Sequence, residues 1–364
     1  MARYLGRAWT REGLRSVVGD VAQVAGARSV VLADGKADGV RAVEVSTGGG
    51  FAFTVLPGRG MDIPAASYKG TSLSFLSGTG ITHPGYYEEP GLGWLRAFYA
   101  GLLTTCGIAC AGAPGTDQGR PFGLHGRYSN AAAEDVCVRQ GWEGDEYLIR
   151  VSGLVREASA MNEHLVLART LETRLGARGF RLHDVVENRG FEPQPLMLLY
   201  HFNYGFPLLA PGARIVAPVR ASTPRDEEAR KGRDVEECLA IGEPLPGYQE
   251  KVFFHDLAAD AEGRTFVALV NPDAGGGSPL AVVERFSVKE LPCFTEWKMM
   301  RKGFYVLGLE PGNVGPQGRG VLRDRGTLPM LAGQQAYAVT IDVEVLDSAE
   351  EIAALEREAA KLIR

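Results

Sequence analysis

A few histidines set among glycines and aromatics, and one glutamate against a Pro-Gly turn, are the residues of this chain best suited to moving protons. His125 lies in Gly123-Leu124-His125-Gly126-Arg127, and His201 in Tyr200-His201-Phe202-Asn203-Tyr204-Gly205. His255 precedes Asp256 in Phe253-Phe254-His255-Asp256-Leu257, and Glu310 sits in Gly308-Leu309-Glu310-Pro311-Gly312-Asn313. Glycine beside such groups leaves backbone room for a ligand. Singly, each has an ordinary structural explanation: His125 as a turn residue, His201 as a core histidine bonded to a carbonyl, Glu310 as an acceptor of backbone donors, His255-Asp256 as a loop pair. Jointly they gather imidazoles and carboxylates at strand ends. An imidazole and a glutamate on opposite sides of a small neutral substrate can move two protons in concert, each contributing typically ~10²–10⁴-fold. A sugar hemiacetal needs such a pair. A base takes the anomeric hydroxyl proton, an acid protonates the ring oxygen, the C1–O5 bond opens, and the ring closes on the other face. That chemistry requires no metal and no organic cofactor. It expects an imidazole and a glutamate to face one another across a pocket about as wide as a pyranose ring, with no direct hydrogen bond between them.

Trp94, Trp297, Tyr86, Tyr87 and Phe294 are candidate platforms for the apolar face of a pyranose, although core packing is the commoner use of each. The polar and aromatic mixture Pro292-Cys293-Phe294-Thr295-Glu296-Trp297-Lys298 suits the rim of a site. Other constellations lead elsewhere or nowhere. Gly78-Thr79-Gly80 lacks the third glycine of a dinucleotide fingerprint, and there is no Walker-type phosphate loop. No Gly-x-Ser-x-Gly elbow occurs. Cys106 and Cys110 are spaced C-x3-C without a second pair and read as buried thiols rather than zinc ligands.

The elements that must hold these residues read as strands. The chain has 364 residues, 47 of them Gly and 20 Pro, dispersed between short apolar alternations. Val43 and Val45 alternate with polar neighbours, Gly48-Gly49-Gly50 follows, and Phe51, Phe53 and Val55 alternate again, which predicts a hairpin. Residues 77–130 are rich in Gly, Pro and aromatics and predict loops with short strands. Further strands are expected at 147–151, 180–186, 195–206, 265–271, 280–288, 304–309 and 336–345. The charge-dense stretch 223–237 reads as a solvated loop or short surface helix. One helix is clear, over 349–364, with Ser348 as cap and Glu351 three residues on. No linker divides the chain, so one antiparallel sandwich-type domain over 1–364 is expected. With 39 basic and 44 acidic residues the formal charge is −5, and without a basic run nucleic acid is not an expected partner. No apolar stretch approaches a membrane span, and Met1–Thr10 lacks the apolar segment of a secretory signal. Five scattered Cys read as free thiols in a reducing cytoplasm.

Leu124-His125-Gly126, His201-Phe202-Asn203 and Gly308-Leu309-Glu310-Pro311 resemble motifs of the galactose mutarotase-like superfamily, in the order the family has them. The superfamily includes aldose 1-epimerases and hexose-6-phosphate 1-epimerases, and the resemblance runs from Pro57-Gly58-Arg59-Gly60 to about Val345. It implies a large antiparallel β-supersandwich. It implies His201 as general acid at the ring oxygen, Glu310 as general base at the anomeric hydroxyl, His125 as the residue orienting the ring oxygen, and Asp256 as a holder of sugar hydroxyls. Arg96 stands near the place of an early substrate-binding arginine. Arg127, Asn203, Trp297, Lys298 and His255 complete the expected substrate-binding set. Gly126-Arg127-Tyr128-Ser129-Asn130 is nearer the phosphosugar pattern, yet Thr104-Thr105-Cys106-Gly107-Ile108 lacks the usual arginine, so free sugar, sugar acid and ketose all stay open. The implied protein is a cofactor-independent cytoplasmic isomerase whose partner is a small sugar, and a homodimer is compatible with it. The alternatives are a non-catalytic carbohydrate-binding module, or another isomerase or a lyase on the same fold.

Overall fold

The computed structural model describes residues 1–231, 237–274 and 276–364. Among the described residues, two large antiparallel sheets dominate. The first sheet begins with β1 (Gly26–Val31), β2 (Arg41–Ser46), β3 (Phe51–Leu56), β4 (Asp62–Tyr68) and β5 (Leu103–Ile108). The chain then builds the second sheet with β6 (Glu134–Glu143), β7 (Glu146–Ala158), β8 (His164–Arg174) and β9 (Gly179–Asn188). It returns to the first with β10 (Met197–Tyr204), leaves β11 (Arg214–Val216) on the second, and adds β12 (Val219–Pro224) and β13 (Lys251–Leu257) to the first. β14 (Arg264–Asn271) and β15 (Leu280–Ser287) extend the second, β16 (Cys293–Arg301) and β17 (Phe304–Gly312) the first, and β18 (Ala336–Leu346) lies within the second. Across the first sheet the order is β12-β13-β16-β17-β10-β5-β4-β3-β2-β1; across the second it is β6-β7-β8-β9-β18-β15-β14-β11. This is the supersandwich that the resemblance implies.

Strand alternation decides which side chains fill the space between the sheets. Phe53 of the first sheet packs on Phe180 of the second with ring centroids 5.0 Å apart. In β10, Leu198, Tyr200, Phe202 and Tyr204 belong to this core, so His201 and Asn203 point to the opposite face. A buried polar clamp also crosses the gap. Arg169 of β8 reaches Asp62 of β4 at 3.0 Å and Asp184 of β9 at 2.7 Å, and donates to Thr105 Oγ1 of β5 at 2.9 Å. Tyr200, the neighbour of His201, donates to Asp184 at 2.8 Å.

The hairpin around Gly48-Gly49-Gly50 is present, with Val43 opposite Val55 and Val45 opposite Phe53. The terminal helix α1 spans Ala349–Ile363; Ser348 Oγ accepts from Glu351 N at 3.2 Å, and Ile352, Leu355 and Ala359 pack on Phe266 and Val283 of the second sheet. Two expectations need correction. Of Pro292–Lys298, expected at the rim of a site, only alternate residues can reach one face, because 293–301 is an interior strand of the first sheet, flanked by β13 and β17. The stretch 223–237 is not uniformly solvated, since Thr223 and Pro224 finish β12; residues 232–236 lie outside the described residues. No described helix is long and apolar enough to cross a membrane.

Candidate active site

The candidate site lies on the face of the first sheet turned away from the second. Its centre follows from strand register. β10 pairs with β17 so that Leu199 faces Gly312 and Phe202 faces Leu309, which sets His201 across from Glu310. β16 pairs on the other side of β17 with Thr295 opposite Glu310. His201, Glu310 and Thr295 thus form a row across three strands, where cross-strand neighbours are close enough to touch. Leu307 and Leu309 fill the core, leaving Gly308 and Glu310 on the site face.

His201 Nε2 lies 3.1 Å from Glu310 Oε1. This corrects the expectation of two groups separated by a pyranose ring: adjacent strands put them side by side. The contact is not aligned as a hydrogen bond. Glu310 Oε1 and His201 Nδ1 are both buried without a hydrogen-bond partner, as are His125 Nδ1 and Thr295 Oγ1. Unsatisfied buried polar atoms are costly in a folded protein, and four of them around one cavity make it the candidate ligand site. Glycine makes the room. A Cβ at Gly308 would stand 2.6 Å from Glu310 Oε1 and 3.1 Å from Trp297 Cβ. Gly308→Ala should therefore displace the Glu310 carboxylate or the indole and depress any turnover by at least tenfold, with the melting temperature showing whether the fold is retained.

His125 enters from the loop that closes over β5. Its backbone is left-handed, with φ of 57°, and a Cβ on the following Gly126 would fall 2.1 Å from the Cys110 carbonyl oxygen. The ring of His125 lies 4.7 Å from Trp94 and 5.7 Å from His201, the latter edge-on at 80°. Trp94 stacks on Phe98 at 4.5 Å, and Phe98 and Trp297 flank His201 at 5.4 and 5.3 Å. Trp297 Nε1 donates to Glu250 Oε2 at 2.9 Å, and Arg225 donates to Glu250 Oε1, also at 2.9 Å. These groups surround a cavity of about 360 Å³. Wider grooves of about 520 and 630 Å³ lie over β7, β8, β9 and β18 of the second sheet and over β1–β4 of the first, but none of the residues lining them is a histidine.

Burial sets the charge state of the centre. It lowers the His201 pKa to about 4, and burial together with the neighbouring His201 lowers that of His125 to about 3. Burial, reinforced by the Glu250 charge, pushes Glu310 well above the usual carboxylate range. Burial thus favours the uncharged form of both imidazoles and of the Glu310 carboxyl.

Of the residues expected at the site, His125, His201, Trp297 and Glu310 line this cavity, together with Trp94. The others do not. Asp256 is exposed on β13, and the carboxylate that this region contributes to the cavity is Glu250. Arg127 is held by Glu89 at 2.8 Å, and Arg96 is an exposed partner of Glu88 at 3.2 Å. Asn203 shares the face of His201 but acts as a brace: its amide donates to the Ala100 and His201 carbonyls at 3.1 and 2.7 Å. His255 and Lys298 point to the opposite face from Trp297, into a separate buried cluster. There His255 meets Glu296 at 2.9 Å and Ser222 at 2.8 Å, and Lys298 lies 3.6 Å from Glu296 while donating to the Ala240 carbonyl at 2.8 Å. Donor atoms of Cys238, His255 and Glu296 come within 4.8 Å of one another, but Lys298 already supplies the positive charge this cluster needs. Of the other aromatics, Phe294 is in the core and Tyr86 is exposed, while Tyr87 spends its hydroxyl on the Gly126 carbonyl at 3.1 Å. Arg225, Glu250 and Thr295 were not visible as site residues. Thr295 alone had a signal, the two-residue spacing to Trp297.

The family model for a domain of unknown function, DUF4432, matches residues 37–345. The chain belongs to this family. No curated protein matches it. Among solved structures, this DUF4432 chain resembles a candidate aldose 1-epimerase from Klebsiella pneumoniae, with a TM-score of 0.86 and 25% identity over 98% of this chain and 95% of that one. It also resembles a galactose mutarotase-like protein from Clostridium acetobutylicum, with a TM-score of 0.63 and 14% identity over 89% and 99% of the two chains. A galactose 1-epimerase from Lactobacillus acidophilus aligns with a TM-score of 0.55 and 12% identity over 89% and 99%. The fold is therefore that of the galactose mutarotase-like proteins.

Proposed function

We propose that the protein is an aldose 1-epimerase-like mutarotase that opens and recloses a sugar ring by general acid–base catalysis. The observation that carries this reading is the His201–Glu310 pair, 3.1 Å apart in a buried pocket walled by indoles. The two oxygens that exchange protons in mutarotation, the ring oxygen and the anomeric hydroxyl, are both bonded to C1. Two groups side by side serve them better than two groups a ring apart. The neutral pair differs from an imidazolium–carboxylate pair only by one proton moved from Glu310 to His201. In the latter form His201 protonates the ring oxygen while Glu310 takes the anomeric proton. The C1–O5 bond breaks, the aldehyde turns about C1–C2, and the ring oxygen attacks its other face. The ring oxygen then returns its proton to His201, and Glu310 gives one to the new anomeric hydroxyl, so the enzyme ends as it began. Trp94 and Trp297 offer faces for the C–H side of the ring.

Polarimetry or saturation-transfer NMR on a panel of reducing sugars tests the reading. Wild type should accelerate interconversion, and His201→Ala should reduce it by about 10²-fold or more. Spontaneous-rate exchange together with tight calorimetric binding would instead indicate a carbohydrate-binding module. The pH profile is a second check. Turnover needs an imidazole without an extra proton, and His201 keeps that state down to about pH 4. Rates should stay level from pH 7 to 5 and fall towards 4; an acid limb at the ordinary histidine value near 6.5 would contradict this.

A further inference from the structure

Two threonines flank the His201–Glu310 pair in the same cross-strand row, and only one of them has its hydroxyl committed. On β5, Thr104 stands opposite His201; on β16, Thr295 stands opposite Glu310. The row therefore runs Thr104, His201, Glu310, Thr295 over β5, β10, β17 and β16, on one face of the first sheet. Thr104 Oγ1 donates to the Ala100 carbonyl at 2.7 Å, and Thr104 takes no part in the cavity wall. Thr295 does line the cavity. It is 1% exposed, and its Oγ1 has no hydrogen-bond partner among the described residues. A threonine hydroxyl rotates to suit its neighbours and can donate or accept, so one left unpaired in an interior strand is a cost that valine would avoid. The polar run stops there: β13 sets Phe254 opposite Thr295. The nearby carboxylate of the wall, Glu250, already takes Trp297 Nε1 on one oxygen and Arg225 on the other, each at 2.9 Å.

Resting on the mutarotase reading above, we infer that Thr295 is a specificity-determining residue whose hydroxyl bonds the C2 hydroxyl of the sugar, so that the substrate is an aldose with a free hydroxyl at C2. The order of the side chains is the order of the oxygens along one edge of a reducing sugar. His201 serves the ring oxygen and Glu310 the anomeric hydroxyl, both bonded to C1. Past the anomeric hydroxyl, away from the ring oxygen, the next oxygen is the one on C2. Past Glu310, away from His201, the next side chain is Thr295. A C2 hydroxyl both donates and accepts, as Thr295 Oγ1 does, so the contact satisfies a buried group that the protein itself leaves unpaired. A 2-deoxy sugar would set a C–H there and keep Thr295 Oγ1 buried and unpaired. A site built to hydrogen-bond a substrate hydroxyl rejects the analogue that lacks it.

The test compares sugars that differ only at C2: D-glucose, D-galactose and D-ribose, each against its 2-deoxy form, measured for exchange by saturation-transfer NMR and for binding by calorimetry. Comparing variants on the same sugar cancels the difference in spontaneous rate between the two members of a pair. Thr295→Val should lower kcat/KM on the 2-hydroxy member by about tenfold or more and leave the 2-deoxy member within about twofold. Its melting temperature should be no lower than wild type, because the hydroxyl removed bonds nothing in the protein. Thr295→Ser should keep the preference, and Thr104→Val, which deletes the committed hydroxyl, should leave it unchanged. Exchange that Thr295→Val lowers equally for both members, or does not lower at all, overturns the C2 contact and leaves the mutarotase reading in place. No acceleration of any sugar, with a binding preference for the 2-hydroxy member that Thr295→Val abolishes, overturns the mutarotase reading and keeps the C2 contact. No exchange and no binding preference overturns both.

Discussion

Glu310→Gln should slow anomer interconversion by about 10²- to 10⁴-fold while leaving the protein at least as stable as wild type at pH 7. Both halves follow from the burial of one carboxyl group. Gln keeps the shape and loses the proton that the mechanism moves. The folded-state pKa of Glu310 is raised above its unfolded value, so the unfolded chain releases that proton at a lower pH than the folded one does. Stability therefore falls as pH rises through the window between the ordinary carboxylate value and the raised one. Gln has nothing to release and escapes that loss. The stability difference should be present at pH 7 and vanish below the ordinary glutamate value of about 4.3. Urea unfolding at two pH values, set beside exchange rates, reads both effects. A variant that loses activity only because it unfolds would show Glu310 to be a structural acceptor.

Removing Arg169 should give the largest loss of stability, about 3–5 kcal/mol for Arg169→Ala, as expected when one partner of a buried ion network is deleted. Its guanidinium is fully buried and holds Asp62 and Asp184 from the two sheets. Even with Arg169 in place, burial pushes the Asp62 pKa up to about 7. Without it, two carboxyl groups would be left in the core with no cation between them. That loss is a large share of a typical domain's stability. Arg169→Met with Asp184→Asn should recover part of it, because the double change removes one of the two stranded carboxyl groups along with the arginine. Denaturant unfolding of the single and double variants checks this; a loss below about 1 kcal/mol for Arg169→Ala would mean that the clamp is incidental.

The scaffold was legible because the signals that specify it are local. Period-two alternation marked β2, β3, β7 and β9, a continuous apolar run marked β10, a glycine triplet marked a turn, and a serine with a glutamate three residues later marked the start of α1. The two residues at the centre of the cavity were legible as well, since His201 and Glu310 stand out by type and neighbours. Their relative placement was not. It depends on the register between β10 and β17, strands far apart in the chain. Parity explains most of the other misplacements. Trp297 and Lys298 are adjacent in sequence, so one faces the cavity and the other the buried His255–Glu296 cluster. His255 is buried and Asp256 exposed for the same reason. Arg225 was hidden in a charged stretch whose composition resembles any solvated loop, and only the pairing of β12 with β13 brings it beside Glu250.

The central claim is that the two side chains serve one carbon. A crystal structure with a reducing aldose bound tests it most directly. The account predicts the anomeric carbon at the His201–Glu310 junction, with the ring oxygen within hydrogen-bonding reach of one side chain and the anomeric hydroxyl within reach of the other. A sugar seated elsewhere, or one bound in this cavity with its anomeric carbon turned away from both residues, would contradict it.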